Sequence, residues 1–113
     1  MEKLGRIKKI CFKANKDLIK KKLVIQSFGN VSVRFENAIL IKPSGVNLSI
    51  LDFKSIVPVN ILDKKYEGSL KPSSDTPTHI ELYKKYKTIQ SVVHTHSPYA
   101  TSWAQAGSAI PCF

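Results

Sequence analysis

From Thr88 to its last residue, this 113-residue chain contains no lysine, arginine, aspartate or glutamate. The remainder is strongly basic, because the chain has 18 Lys and Arg against 8 Asp and Glu, a net charge of +10. Chain ends are usually exposed and polar, whereas an uncharged segment of this length is typical of a protein interior. We therefore expect residues 88–113 to be buried in a complete domain, to which further chain belongs.

The size and composition allow one globular domain and no more. Hydrophobic residues make up 42% and charged residues 23% of the chain, which excludes a disordered tail. No apolar run is long enough to span a membrane, and the first residues lack the apolar stretch of a secretory signal. Cys11 and Cys112 lie near opposite ends of the sequence, and we expect two buried free thiols in a reducing cytoplasm.

The excess of positive charge raises the question of a nucleic-acid or membrane-surface partner. Only two of the 18 basic residues are arginine, the residue best suited to bind the phosphates and nucleobases of nucleic acids. No nucleic-acid-binding motif accompanies the lysines, which fall where solvated helix faces are expected. We therefore expect neither a specific nucleic-acid partner nor a membrane, and a basic binding module stays as an alternative.

The first half of the sequence predicts one helix followed by strands. Apolar residues at spacings of three and four predict an amphipathic helix packed on a sheet; they are Leu4, Ile7, Cys11, Ala14 and Leu18. Alternation predicts a strand over 31–35, with a tight turn at 36–37 into a second strand over 38–41. A third strand is expected over 56–62, at an edge or an end because it contains Pro58.

The second half has well-marked helix boundaries. Thr76 can cap a helix that begins at Pro77 and runs to the region of Tyr86. A strand is predicted over 91–96, after which Ser97 can cap another helix. Strands and helices therefore interleave without a strict repeat, which predicts a mixed α/β (α+β) fold.

His94 and His96 are the sharpest chemical feature of the sequence. Residues two apart on a strand point to the same side, so both imidazoles would face one site. They suit a divalent transition metal, zinc above all, but a catalytic zinc takes three protein ligands and a structural one four. Asp75, just before a predicted helix, is a candidate third ligand. His79 is expected to be a packing residue or to support the metal ligands without binding the metal. Two histidines without a metal remain the alternative at this point.

Three short polar turns offer groups that bind phosphate: Gly29-Asn30, Ser44-Gly45 and Ser73-Ser74. Each supplies hydroxyls, an amide or exposed backbone N–H groups, and the last lies just before a helix N-terminus. Any one of them alone is more simply a turn. Only if all three come together does the pattern predict an anion site.

The segments that contain these residues resemble the class II aldolase family. They are 27–32, 41–46, 71–79 and 93–107, and they occur in the family's order within a match from the region of Leu4 to Pro111. Within the family the pattern is most similar to bacterial L-ribulose-5-phosphate 4-epimerases. The resemblance implies a central, mainly antiparallel sheet flanked by helices on both faces, with residues 1–113 as its N-terminal part. It also implies a homotetramer that acts on a sugar phosphate.

The resemblance assigns the candidate residues to one site. Asp75, His94 and His96 match positions that serve a catalytic zinc, for which manganese or cobalt could substitute. The residues of the three turns match those that hold the sugar phosphate: Gly29, Asn30, Ser44, Gly45, Ser73 and Ser74. The implied reaction breaks and remakes the C3–C4 bond of L-ribulose 5-phosphate, which inverts C4 and gives D-xylulose 5-phosphate.

The family's chains continue well beyond the region matched here. The remaining zinc histidine and the acid and base belong to that further part. We therefore expect no catalytic acid or base within residues 1–113 and no turnover by this chain alone. Related L-fuculose-phosphate aldolases carry a glutamate where this chain has Asp75, which favours an epimerase. An aldolase of that kind and a non-catalytic remnant stay as alternatives.

Overall fold

The computed structural model describes residues 2–25 and 28–112, and within them it contains three α-helices and four strands. In chain order these are α1 (Lys3–Lys20), β1 (Asn30–Phe35), β2 (Ala38–Ile41), β3 (Val57–Asn60), α2 (Thr76–Lys85), β4 (Ser91–His94) and α3 (Pro98–Gln105). All strand pairs are antiparallel, in the order β3-β2-β1-β4. The predicted mixed α/β fold with an antiparallel sheet is confirmed. No helix in the described ranges has the length and apolar character needed to cross a bilayer.

The predicted amphipathic helix is α1, whose apolar stripe packs on β1 and β2. Cys11 is fully buried against Leu40 and Ile56. About two turns further along the helix, Leu18 is buried against Val24 and Val31. Burial raises the pKa of the Cys11 thiol to about 12, although a hydrogen bond from Asn15 partly opposes this shift. Cys11 is therefore a packing residue and not a reactive thiol.

The opposite face of the sheet is covered by α2. Alternation along β2 sends Ile39 and Ile41 to this face, while Leu40 faces α1. The two isoleucines join a buried cluster made of Val57, Val59, Ile61, Ile80 and Tyr83. Helices therefore lie on both faces of the sheet, as the family resemblance implies.

The third strand is shorter than predicted, because β3 covers Val57–Asn60 and not 56–62. It ends where the Asn60 side-chain oxygen accepts a hydrogen bond from the backbone N–H of Leu62 and closes a turn. β3 lies at an edge of the sheet, as Pro58 predicts.

The fourth strand also ends early, at His94 and not at His96. His94 pairs with Asn30 of β1, and two residues later the N–H of His96 donates to the carbonyl of Leu23 at 3.1 Å. This hydrogen bond to the connection between α1 and β1 draws the chain out of the sheet.

The predicted start of α2 is displaced by one residue. Asp75 occupies the position before the helix, and Thr76 is its first residue. The Thr76 hydroxyl donates to the carbonyl of Ser73 at 2.6 Å, so it braces the preceding turn. The cap of α3 is as predicted, since the Ser97 hydroxyl accepts a hydrogen bond from the N–H of Ala100.

The uncharged C-terminal segment lies on the surface of this chain. Helix α3 has no buried residue, and Tyr99 is 84% exposed. Cys112 is exposed too, which corrects the prediction of two buried thiols, since only Cys11 is buried. We expected residues 88–113 to be buried in a complete domain. Residues 2–25 and 28–112, which the structure describes, do not bury them.

Candidate metal and phosphate site

The three polar turns and the two histidines meet in one cavity of about 270 Å³. It is lined by Phe28, Gly29, Asn30, Lys42, Ser44, Gly45, Ser73, Ser74, Asp75, His94 and His96. Every residue that the sequence assigned to phosphate or metal is among them. The turns therefore come together, as an anion site requires, and what the residues bind stays a prediction.

Backbone pairing between two distant loops builds this cavity. The N–H of Ser44 donates to the Lys71 carbonyl at 2.8 Å, and the N–H of Ser73 donates to the Lys42 carbonyl at 2.9 Å. At the start of β1, Asn30 Nδ2 donates to Ser73 Oγ at 3.1 Å. The fold itself therefore holds the three turns together, and a ligand need not order them.

Gly29 allows the first turn to approach β4 closely. Its φ is +77°, and a Cβ here would clash with the Val24 side chain and lie 2.9 Å from the His94 carbonyl oxygen. Gly29→Ala is therefore expected to lower the free energy of unfolding by about 3 kcal/mol, measured by urea denaturation. Gly107→Ala is the control, because φ is +69° there with open space around it. Gly107→Ala is expected to lower the free energy of unfolding by about 1 kcal/mol. Equal destabilisation of both variants would mean that the close approach of Gly29 to β4 does not matter.

Asp75 connects the histidines to the polar turns, since it contacts both His94 and Asn30. Its Oδ2 accepts hydrogen bonds from His94 Nδ1 at 2.9 Å and from Asn30 Nδ2 at 2.7 Å. Burial acts to raise the pKa of Asp75, but these hydrogen bonds and the nearby histidine charges outweigh it and hold the pKa below its ordinary value. Because an ionised carboxylate can only accept, His94 Nδ1 carries a proton and Nε2 is the nitrogen left to bind a metal.

His96 lies beside His94 although it is outside the strand. The two ring centroids are 4.8 Å apart, and the His96 ring stacks on Phe28 with a centroid distance of 5.6 Å. The predicted pair of adjacent imidazoles is thus present. Its cause is ring stacking and a loop hydrogen bond, and not strand alternation.

The donor types suit zinc, but the set is incomplete. Adjacent imidazoles, one of them oriented by a carboxylate, are typical of protein zinc sites. Within residues 2–25 and 28–112, however, no three His, Cys, Asp or Glu side chains are arranged to hold a metal ion. The hydrogen bond of Asp75 makes it an orienting partner of His94, and its assignment as a third ligand stays a prediction. His94 and His96 alone are one ligand short of the three that a catalytic zinc takes from the protein.

Residues 9–113 match the family model named Class II Aldolase and Adducin N-terminal domain. The chain belongs to the class II aldolase family. Among solved structures, an L-fuculose 1-phosphate aldolase is 28% identical with a TM-score of 0.82, over 91% of this chain and 50% of that one. The L-fuculose-1-phosphate aldolase of Thermus thermophilus is 26% identical with a TM-score of 0.69, over 84% and 48%.

Escherichia coli YgbL, whose description leaves aldolase, epimerase and decarboxylase open, has a TM-score of 0.79 at 24% identity. That match covers 88% of this chain and 48% of YgbL, and it shows the fold alone. This class II aldolase chain therefore spans about half the length of the solved structures that it matches. Its membership favours an enzyme domain over the alternative of a basic binding module.

Lys42 is a residue of this class II aldolase cavity that the sequence analysis missed. Lys42 is only 6% exposed. Burial lowers its pKa, and the attraction of Asp75 partly restores it. A cation beside the three polar turns makes the cavity more favourable for an anion. The signal was present in the sequence, since Lys42 begins the turn that contains Ser44 and Gly45.

Polar side chains on one side of β1 contact α2 and the turn before it. Asn30 contacts the turn before the helix, Ser32 Oγ lies 2.6 Å from His79 Nδ1 and 2.8 Å from the Tyr83 hydroxyl, and Arg34 donates to the Tyr83 carbonyl at 3.0 Å. We refer to Asn30, Ser32 and Arg34 as the β1 polar strip. Sequence alternation assigns this side of β1 to the polar surface, so it did not predict that a helix covers it.

His79 is 2% exposed, as expected of a packing residue. Burial lowers its pKa from 6.5, and this effect outweighs the attraction of Asp75. The unfolded chain therefore takes up a proton that the folded chain resists, and the free energy of unfolding is expected to fall as the pH drops below about 6.5. Urea denaturation at several pH values between about 7.5 and about 5 measures this effect. His79→Gln should weaken the dependence, and an unaltered dependence in that variant would exclude His79 as its source.

Proposed function

We propose that this chain forms the N-terminal half of the domain of a cytoplasmic, zinc-dependent L-ribulose-5-phosphate 4-epimerase. One observation carries the proposal: the three polar turns line the same cavity as Asp75, His94 and His96. Metal-assisted cleavage of a sugar phosphate uses both features, an anchor for the phosphate and a group that stabilises negative charge on the sugar oxygens.

The phosphate would bind at the turns. Ser44 and Ser74 line the cavity and are exposed, so their hydroxyls are available to donate. Gly29 and Gly45 carry no side chain that could shield the neighbouring N–H groups from an anion. Lys42 contributes positive charge to the same lining. These groups together would bind the phosphate of a sugar phosphate.

The metal end of the cavity consists of the two histidines. His94 and His96 are the side chains that would hold zinc, and Asp75 keeps Nδ1 of His94 protonated and its ring fixed. Zinc, when bound, would act as a Lewis acid for the oxygens of the sugar. The ring of His96 is held in place by its stacking on Phe28.

Inversion at C4 by bond cleavage requires that the smaller fragment turn over without leaving. In this proposal the turns retain the fragment through its phosphate, which keeps the two carbons close enough to rejoin. The general acid and base would come from the second half of the domain, and the working enzyme would be a homotetramer. The chain alone is therefore expected to be inactive.

An L-fuculose-1-phosphate aldolase is the second candidate. The observation that favours it is the 28% identity to a solved enzyme of that name. The same cavity would serve both reactions, since each begins with metal-assisted cleavage of the C3–C4 bond of a sugar that is held by its phosphate. Asp75, where such aldolases are expected to carry glutamate, supports the epimerase.

Product analysis separates the two candidates. The chain would be joined to the second half of an L-ribulose-5-phosphate 4-epimerase and, in parallel, of an L-fuculose-1-phosphate aldolase. We expect conversion of L-ribulose 5-phosphate to D-xylulose 5-phosphate by the first fusion, loss of that activity with EDTA, and only background from the chain alone. With L-fuculose 1-phosphate as the substrate, dihydroxyacetone phosphate and lactaldehyde as the main products of both fusions, without epimerisation of L-ribulose 5-phosphate, would establish the aldolase instead. Full turnover by the chain alone would contradict the assignment of the acid and base to the second half.

A further inference from the structure

The β1 polar strip and its partners on the α2 side have matching spacings. Residues of the strip are two apart, so they project from the same side of β1 and advance about 6.8 Å at each step. Their partners are four apart, an advance of about 6 Å on a helix, and they are Asp75, His79 and Tyr83. The strand and the helix therefore stay in register over three successive pairs.

The first of these pairs includes the contact between Asp75 and His94. Asn30 lies opposite His94 in the pairing of β1 with β4, and its Nδ2 donates to Asp75 Oδ2 at 2.7 Å. The same oxygen accepts from His94 Nδ1 at 2.9 Å. Because Asp75 directly precedes α2 and His94 belongs to β4, their distance depends on the position of α2 along β1. A shift of α2 by one residue, about 1.5 Å, is enough to break a hydrogen bond of this length.

Ser32 lies at the middle of the strip and contacts two residues of α2. It is fully buried, and its Oγ is 2.6 Å from His79 Nδ1 and 2.8 Å from the Tyr83 hydroxyl. His79 is 2% exposed and Tyr83 1%, so water does not replace these hydrogen bonds when they break. A movement of α2 along β1 would leave these buried polar groups unpaired, which costs free energy. Ser32 therefore opposes such a movement.

The hydrogen bonds at Ser32 also determine which nitrogen of His79 carries the proton. Burial lowers the pKa of His79, so its ring is neutral at neutral pH and holds one N–H. If Nδ1 donated to Ser32, the hydroxyl proton of Ser32 or of Tyr83 would have no acceptor among residues 2–25 and 28–112. Both hydroxyl protons are used when Tyr83 donates to Ser32 and Ser32 donates to His79 Nδ1. The ring proton of His79 is then on Nε2.

We propose that Ser32 is a positioning residue of the metal site: through His79 and Tyr83 it fixes α2 on β1 and so keeps Asp75 at hydrogen-bond distance from His94. No hydrogen bond joins Ser32 to Asp75 or His94 within the described ranges, so it acts through the helix. The proposal rests on the metal site of the proposed function and not on the identity of the sugar phosphate. Loss of the Ser32 hydroxyl should therefore alter His94, which lies on a different strand.

The test compares Ser32→Ala with the unmodified chain in two measurements. Competition with a chromophoric chelator gives the Zn²⁺ affinity, and ¹⁵N NMR of the imidazoles gives the tautomers of His79 and His94. In the unmodified chain we expect the His79 proton on Nε2. In Ser32→Ala we expect Zn²⁺ binding that is weaker by about three- to tenfold, with a smaller fraction of His94 protonated on Nδ1. Ser32→Thr keeps the hydroxyl and should return the Zn²⁺ affinity to within about twofold of the unmodified chain.

Ser55→Ala is the matched control. Ser55 is also buried, its Oγ donates to the Asp52 carbonyl at 2.7 Å, and it belongs to a turn over 53–55 that packs on α1. Both alanine variants lose a buried serine hydroxyl, but Ser55→Ala should change the Zn²⁺ affinity less than about twofold and leave the His94 tautomer unaltered. If Ser32→Ala does not fold, Tyr83→Phe replaces it, because it removes the other hydroxyl of the contact and keeps the ring. We expect the same changes in that variant, smaller in size.

Three results would overturn the proposal. The first is a His79 proton on Nδ1 in the unmodified chain, which would reverse the hydrogen bonds at Ser32. The second is a Ser32→Ala variant that is less stable but has an unaltered Zn²⁺ affinity and His94 tautomer, which would make Ser32 purely structural. The third is equal weakening of Zn²⁺ binding by Ser32→Ala and Ser55→Ala. If the unmodified chain binds no Zn²⁺, the proposed function loses its metal, and the His94 tautomer still decides the role of Ser32.

Discussion

An Asp75→Asn variant is expected to bind Zn²⁺ about 10- to 100-fold more weakly than the unmodified chain. The substitution keeps the size of the side chain and removes the charge that now faces His94 Nδ1 at 2.9 Å. Without that carboxylate, the imidazole has less preference for the tautomer that leaves Nε2 free, and its ring is less firmly held. Competition with a chromophoric chelator measures the affinity, and ¹⁵N NMR of the imidazole reports the tautomer of His94.

Glu81→Gln provides the matched control for this prediction. Glu81 lies on α2, which begins directly after Asp75, and its side chain is 67% exposed. Glu81→Gln removes the same charge as Asp75→Asn, so Zn²⁺ affinity should change less than twofold. Equal loss in both variants would mean that general electrostatics, and not the hydrogen bond to His94, controls binding. If the tautomer of His94 is the same in Asp75→Asn as in the unmodified chain, Asp75 does not orient His94, whatever happens to the Zn²⁺ affinity.

The sequence predicted the members of the site better than its geometry. His94, His96 and the three turns were identified from spacing and residue type, and the structure brings them into one cavity. The means by which they meet were not predictable from local patterns. His96 is positioned by stacking on Phe28, and the turns are joined by backbone hydrogen bonds between loops that are distant in sequence. Alternation and spacing describe neighbours along the chain, and these contacts are not of that kind.

The fold shows the same division between local and long-range effects. The apolar stripe of α1, the hairpin of β1 and β2, and the cap of α3 follow from periodicity and capping chemistry, and they are as predicted. The β1 polar strip is different. Ser32 is fully buried because α2 crosses over it and supplies His79 and Tyr83 as partners. A polar residue on an alternating strand is ordinarily assigned to solvent, and only knowledge of the covering helix reverses that assignment.

Asn15 is the polar residue whose replacement is expected to destabilise the fold most. It lies on the buried side of α1, is 3% exposed, and was not part of the predicted apolar stripe. Its Oδ1 accepts from the Val31 N–H at 2.8 Å, and its Nδ2 donates to the carbonyls of Val31 at 3.0 Å and Cys11 at 2.8 Å. The side chain thus pairs with β1 as a neighbouring strand would. Asn15→Leu is expected to lower the free energy of unfolding by about 3–5 kcal/mol, because it leaves buried backbone groups without partners.

Urea denaturation of Asn15→Leu, Asn15→Ala and Asn47→Leu distinguishes this cause from changes in volume. Asn47 is exposed, and its side chain accepts a hydrogen bond from the N–H of Ser49. Asn47→Leu is therefore expected to lower the free energy of unfolding by only about 1 kcal/mol. Asn15→Ala breaks the same hydrogen bonds as Asn15→Leu and adds no bulk, so both variants should be destabilised to a similar extent. If Asn15→Ala were as stable as the unmodified chain, overpacking by leucine would be the cause. The strand-like pairing of Asn15 with Val31 would then contribute little to holding α1 on the sheet.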